Sequence, residues 1–173
     1  EAMTARLKLG VLYNKKRFEV VSTQLHPETK INERTRPTFG VRMREKRSGM
    51  EFKLYVVHLK AMAWGRVWRA KQLLALQNLV RREVEQGTTA IVLGDFNSTE
   101  QEDREDLARF AQETGLNWAT ERLRCTAFWQ RKKHCQTSRL DHIFLWEAPR
   151  AVRVRGACGT LGCRAREKCP GYC

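Results

Sequence analysis

Apolar residues in this chain come in short runs that stop at polar turns. Leu7 to Tyr13 and Phe18 to Leu25 read as strands joined by the polar turn Asn14-Lys15-Lys16-Arg17. A loop follows, from His26-Pro27-Glu28 to Arg36-Pro37. Thr38 to Glu45 is predicted as a third strand, with Arg47-Ser48-Gly49 as a hairpin turn. In Glu51 to Leu59, Phe52, Leu54 and Val56 fall on one face, and His58 continues that face at the strand end. The period then changes. Across Trp64 to Gln86, Leu73, Leu76, Val80 and Val84 form one helical stripe, with Arg69, Lys71, Arg81 and Arg82 mostly on its solvated side. Gly87 ends the helix.

Thr89 to Asp95 has an unbroken apolar stretch, Ala90 to Leu93, as in a strand buried on both faces. Gly94 ends the stretch, and Asp95 and Asn97 follow at once. Thr99-Glu100-Gln101-Glu102 reads as a capping box for a helix that ends near Gly115, and its acidic run as charges favoured in a first turn. Glu121 to Gln130 is predicted as a strand and Arg131-Lys132-Lys133-His134 as a basic loop. Leu140 to Trp146 is an apolar strand carrying Asp141 and His142. Ala151 to Ala157 alternates Val152 and Val154 with Arg153 and Arg155, as a half-exposed strand does. Residues 158–173 read as an irregular tail.

With 173 residues, 42% of them hydrophobic, the chain can build one core, so one domain over 1–173 is expected. No apolar run is long enough to span a membrane. No signal peptide opens the sequence, and Met is absent from position 1, which suggests that a longer chain begins upstream.

Charge changes the picture. The net charge of +14 divides into +8 over residues 1–60, −2 over 61–120 and +8 over 121–173. Two basic flanks around an acidic middle suit a polyanion, nucleic acid above all, held over a metal-binding centre. All six cysteines lie late in the chain, which points to disulfides and an extracellular or periplasmic setting. Closeness in sequence favours the pairs Cys125–Cys135 and Cys158–Cys163. Zinc held by Cys158, Cys163, Cys169 and Cys173 is the weaker alternative, because the paired Cys-x-x-Cys spacing is missing.

Polar residues just beyond the carboxyl ends of central strands are where α/β domains bind ligands. Three such groups stand in order: His58-Leu59, Gly94-Asp95-Phe96-Asn97, and Ser138-Arg139-Leu140-Asp141-His142. The series resembles the endonuclease/exonuclease/phosphatase superfamily, with Gly-Asp-Phe-Asn as its most specific marker. The Arg36-Pro37 loop and the long helix with Arg69 and Gln72 match as well. The resemblance implies an α/β fold, the four-layer α/β/β/α sandwich of the deoxyribonuclease I-like type, here incomplete at both termini. It implies hydrolysis of phosphodiester or phosphomonoester bonds with Mg²⁺, or with Mn²⁺ or Ca²⁺.

By resemblance, Asp95 positions or deprotonates the attacking water, Asn97 orients it, and both serve the metal. His58 donates to a phosphate oxygen, and Asp141 braces a terminal histidine. The alternative makes Asp141-His142 the terminal dyad itself, but strand residues rather than a proline-containing segment follow it. On the bracing reading, the family's metal-binding Glu and its terminal Ser-Asp-His fall outside these residues. The chain by itself is then expected to lack activity. Three functional readings remain: a nuclease, a phosphodiesterase or phosphatase of lipids or small molecules, and a non-catalytic nucleic-acid binder.

Overall fold

A computed structural model describes residues 9–131 and 134–170. Its centre is a six-stranded mixed sheet. The strands are β1 (Phe18–His26), β2 (Thr38–Glu45), β3 (Glu51–His58), β4 (Ala90–Asp95), β5 (Asn117–Trp118) and β8 (Asp141–Leu145), in the order β1-β2-β3-β4-β8-β5. Two helices, α1 (Arg66–Glu85) and α2 (Gln101–Thr114), pack against each other and against the sheet. β6 (Ala127–Arg131) and β7 (His134–Ser138) form a separate ribbon, and α3 (Gly156–Leu161) follows β8. A mixed sheet flanked by helices is the deoxyribonuclease I-like pattern expected from the sequence. Among the described residues it comprises one large sheet with its helical cover.

β3 is antiparallel to β2 but parallel to β4, so the link between β3 and β4 must cross over. Helix α1 makes that crossover. Its stripe Leu73, Leu76 and Val80 meets Tyr55, Val57, Ala90, Val92 and Phe144 in the main core, and Phe110 of α2 joins them. Strand β3 is buried on both sides, because Phe52 and Leu54 pack with Val41 and Met43 on the opposite face.

Several expectations are corrected. Residues 9–13 form no strand; Val11 and Tyr13 instead pack on the Val41–Met43 face, and Leu7 lies outside the described residues. β6 begins at Ala127 rather than Glu121, since the Glu121 and Leu123 carbonyls accept from the Arg139 guanidinium instead of a strand partner. Residues 151–155 are not a strand either: Val154 turns onto the cysteine cluster, and the chain then enters α3. The capping box forms one residue later than expected, between Glu100 and Asp103.

The disulfide pairing is also different. The bonds are Cys125–Cys163 and Cys135–Cys169, not Cys125–Cys135 and Cys158–Cys163; Cys158 is disulfide-bonded too. Proximity in sequence misleads because Cys125 and Cys135 sit on opposite legs of the ribbon, out of register. Residue 127 faces 138, and Cys135 faces Gln130. The tail therefore folds back over the ribbon, where Cys135 and Arg166 exchange two backbone hydrogen bonds at 2.7 and 2.9 Å. No cysteine is free among the described residues, so the zinc alternative is excluded for them.

Candidate active site

Strand register builds the site. His58 pairs with Asp95 across the parallel β3–β4 ladder, and Asp95 pairs with Asp141 across the antiparallel β4–β8 ladder. Residues paired in register share a face, so three polar side chains stand in a row at one end of the sheet. His58 Nε2 lies 3.6 Å from Asp95 Oδ2. Gly94 makes this packing possible: its φ is 138°, and a Cβ there would sit 2.0 Å from the Val57 carbonyl oxygen. Only glycine fits that position.

After Asp95 the backbone turns sharply. Asn97 has φ 50°, and its N–H donates to Asp95 Oδ1 at 2.8 Å. The Asn97 side-chain amide donates to the Leu59 carbonyl at 3.0 Å, which joins the ends of β3 and β4. These two bonds fix Asp95 and Asn97 relative to each other. Asp95 Oδ2 and the side-chain carbonyl oxygen of Asn97 are the acceptors that these two bonds do not use.

Electrostatics at the row is divided. Burial raises the Asp95 carboxyl above its ordinary value, against the Asn97 N–H and the charges of Arg36 and Arg69. Burial and the charge of Asp95 raise Asp141, while Thr126 and His58 pull it down. Burial and Arg36 lower His58, keeping its imidazole neutral at pH 7. Arg36 thus stands within electrostatic reach of both His58 and Asp95, and its Nε is buried without a hydrogen-bond partner.

His142 takes no part in this row. Successive strand residues point to opposite faces. Asp141 therefore joins Asp95, whereas His142 is fully buried on the helix side beneath Gly94. Trp118 Nε1–H donates to its Nδ1 at 3.0 Å, and its Nε2 meets Ser98 Oγ at 2.7 Å. The reading of Asp141-His142 as a joint catalytic dyad fails on this geometry.

Sequence reasoning missed two contributors. Arg36 lies in a loop of the sequence, and nothing local marks its charge as acting on the site. Arg69 reads as a residue of the solvated side of its helix, yet it is buried and forms a two-bond fork with Asp103, at 3.0 and 2.7 Å. The signal was present, since Arg69 precedes Leu73 by four residues and continues the apolar stripe. Arg69 also donates to the Lys60 and Met62 carbonyls, and Gln72 binds the Lys60 N–H and the Arg36 carbonyl. Together Arg69 and Gln72 hold the loops that carry Arg36 and follow His58.

The chain belongs to the Endonuclease/Exonuclease/phosphatase family, whose model matches residues 8–163. Among solved structures it is similar to the human Nocturnin catalytic domain with bound sulfate, at 26% identity and TM-score 0.59, over 75% of this chain and 48% of that one. Zebrafish (D. rerio) TDP2 complexed with a single-strand DNA product is similar at 18% identity and TM-score 0.58, over 80% and 57%. The Bacteroides thetaiotaomicron mannosyl-6-phosphatase Bt3783 is similar at 19% and 0.56, over 77% and 54%. The chain thus spans about half the length of the structures it matches. No curated protein sequence matches it closely enough to count as a relative.

Proposed function

We propose that this chain carries part of the active site of a metal-dependent phosphodiester hydrolase acting on nucleic acid. The observation behind the reading is the register-aligned row His58, Asp95 and Asp141, with Asn97 and Arg36 beside it. A hard divalent cation suits such a place. The acceptors are oxygens, and two neighbouring carboxylates each carry a raised proton affinity that a cation would relieve. Among the described residues no group of three potential ligands exists, so Asp95 and the Asn97 carbonyl oxygen would hold Mg²⁺, Mn²⁺ or Ca²⁺ together with substrate oxygens. The ion supplies charge neutralisation at the phosphate.

The remaining roles belong to the chain. Asp95 manages the proton of the attacking water, because its raised affinity brings it nearer to the operating pH. Neutral His58 donates a hydrogen bond to a phosphate oxygen without adding charge. Asn97, fixed by its bond to Leu59, orients the nucleophile. Asp141 acts by bracing a histidine from beyond this row. The similar proteins include one described with a DNA product and one described as a sugar phosphatase. The net charge of +14 favours the polyanionic substrate. The disulfides accord with an extracytoplasmic setting.

The test uses the natural protein at the length in which it is made. Plasmid nicking and cleavage of a labelled single strand are followed with Mg²⁺, beside hydrolysis of a sugar phosphate. Asp95→Asn is expected to lower nucleic-acid cleavage by about 10²–10⁴-fold with folding intact. Faster turnover of the sugar phosphate than of either nucleic acid would move the reading to the phosphatase class.

A further inference from the structure

Two basic flanks look equivalent in the sequence, and the fold makes them different. Every ion pair among the described residues lies within 17–113. Arg42 and Arg44 pair with Glu51 at the strand edges, Lys53 with Glu83, and Arg44 also with Glu19. Outside the loop that carries Arg34 and Arg36, and apart from Lys60, whose ammonium lies 4.4 Å from the Trp64 ring centroid, the described cations of the first flank without an ion pair are Lys15, Lys16, Lys46 and Arg47. They gather where β1 starts, β2 ends and β3 begins. That is the wrong end of the sheet: Glu51 and His58 are seven strand steps apart, about 23 Å at 3.3 Å per residue.

The second flank is arranged otherwise. Its ribbon grows out of the site. Thr126 Oγ1, at the foot of β6, accepts the N–H groups of Leu140 and Asp141 at 3.0 and 2.9 Å. Arg150, Arg153, Arg155, Arg164, Arg166 and Lys168 follow, all exposed and none in an ion pair with a described residue. Near them in sequence stand only Glu147 and Glu167. The segment that carries them is not a loose tail. Val154, Ala157, Cys163 and Cys169 pack with Phe128 and the cysteines of the ribbon, and two disulfides close the segment onto it. Such a group of like charges repels itself, and the covalent ties hold it together without neutralising it. A polyanion supplies the missing counter-charge and releases its own counterions.

We infer that the disulfide-tied surface formed by the β6–β7 ribbon and residues 150–169 grips the nucleic-acid backbone leading into the site, and that the cluster of Lys15, Lys16, Lys46 and Arg47 does not. The inference rests on the nucleic-acid reading proposed above, but its test needs no turnover. Val154 turns inward, so Arg153 and Arg155 on either side of it are free to meet phosphates. Arg166, held by its backbone pairing with Cys135, presents its charge from a fixed point. The contact is with phosphates, so it is expected to tolerate any base sequence.

The experiment measures binding of a labelled single strand and a labelled duplex to the natural protein in EDTA, over a range of salt. One variant carries Arg153→Gln, Arg155→Gln, Arg164→Gln and Arg166→Gln. A second carries Lys15→Gln, Lys16→Gln, Lys46→Gln and Arg47→Gln. All eight residues are exposed, and circular dichroism with a free-thiol assay checks that the fold and disulfides persist. The first variant is expected to lose at least 10-fold in affinity at low salt. Its salt slope should fall by about 0.7 per lost contact on the single strand and about 0.9 on the duplex. The second variant is expected to stay within about twofold of the parent, as only the net field changes. Equal losses in the two variants, or a loss in the second alone, would overturn the inference. So would capture of phosphatidylserine vesicles by the parent in place of either nucleic acid. If binding behaves as expected while the parent cleaves nothing, the hydrolase reading fails and this surface stands.

Discussion

Trp118 donates its indole N–H to Nδ1 of His142 at 3.0 Å, and this bond sets the tautomer of a buried imidazole. Indole nitrogen only donates, so Nδ1 must accept and Nε2 must carry the proton. Nε2–H then donates to Ser98 Oγ, whose own hydroxyl donates to the Arg139 carbonyl at 2.8 Å. The chain of bonds passes through Ser98, one residue from Asn97, and ends at the Arg139 carbonyl, while Phe96 of the turn packs edge-on against the His142 ring. It gives an unusual strand-end segment a fixed floor.

A pH dependence of stability follows from that floor. Burial pushes His142 down to about 3 from an ordinary 6.5. Between those values the unfolded chain binds a proton there and the native one does not, so stability falls as pH is lowered through that window. One such proton is worth about 1.4 kcal/mol per pH unit. Denaturant midpoints at pH 7 and 4.5 check this. His142→Phe should remove this contribution. It should also cost about 3 kcal/mol at pH 7, because Trp118, Ser98 and Thr120 lose a partner. A variant as stable as the parent at pH 7 would contradict the network.

Arg69 and Asp103 are expected to be among the most sensitive pairs to interrupt. Both are buried, and Asp103 also accepts the Thr99 and Glu100 N–H groups that open α2. Asp103→Ala strands a buried guanidinium and uncaps a helix, for a loss of about 3–5 kcal/mol. Urea unfolding of parent and variant measures it. A loss below about 1 kcal/mol would mean the fork is not buried as described.

Burial, and after it the charge of Arg36, disfavours a charged His58. Arg36→Gln should therefore raise the His58 pKa. The ring protons of His58, followed by NMR against pH, report this without turnover. At fixed pH below that pKa, more of the variant would carry a charged His58. A lower or unchanged midpoint in the variant would show that Arg36 does not face the site.

Disulfide mapping gives a direct check on the pairing. Non-reducing peptide maps should recover Cys125–Cys163 and Cys135–Cys169, at separations of 38 and 34 residues. Loops of that length are worth about 4 kcal/mol each in the chain-entropy model. Reduction should therefore loosen the β6–β7 ribbon and residues 154–169 before it affects the sheet, whose cores include none of the cysteines. Hydrogen exchange before and after reduction shows which part opens first.

Much of the scaffold was legible along the chain. Strands β2, β3 and β4, the long helix and the Gly-Asp-Phe-Asn turn follow from local periodicity and turn chemistry, which neighbouring residues decide among themselves. The candidate residues His58, Asp95, Asn97 and Asp141 were legible too, as polar groups at the ends of apolar runs. Their alignment was not. It depends on the register of two ladders, one parallel and one antiparallel, between segments far apart in sequence. The burial of Arg69 depended on an Asp103 34 residues away, and the cysteine partners on how the tail folds back. Composition gave both flanks the same charge. Only the tertiary structure decided where carboxylates stand close enough to neutralise it, because screening is a matter of distance in space rather than along the chain.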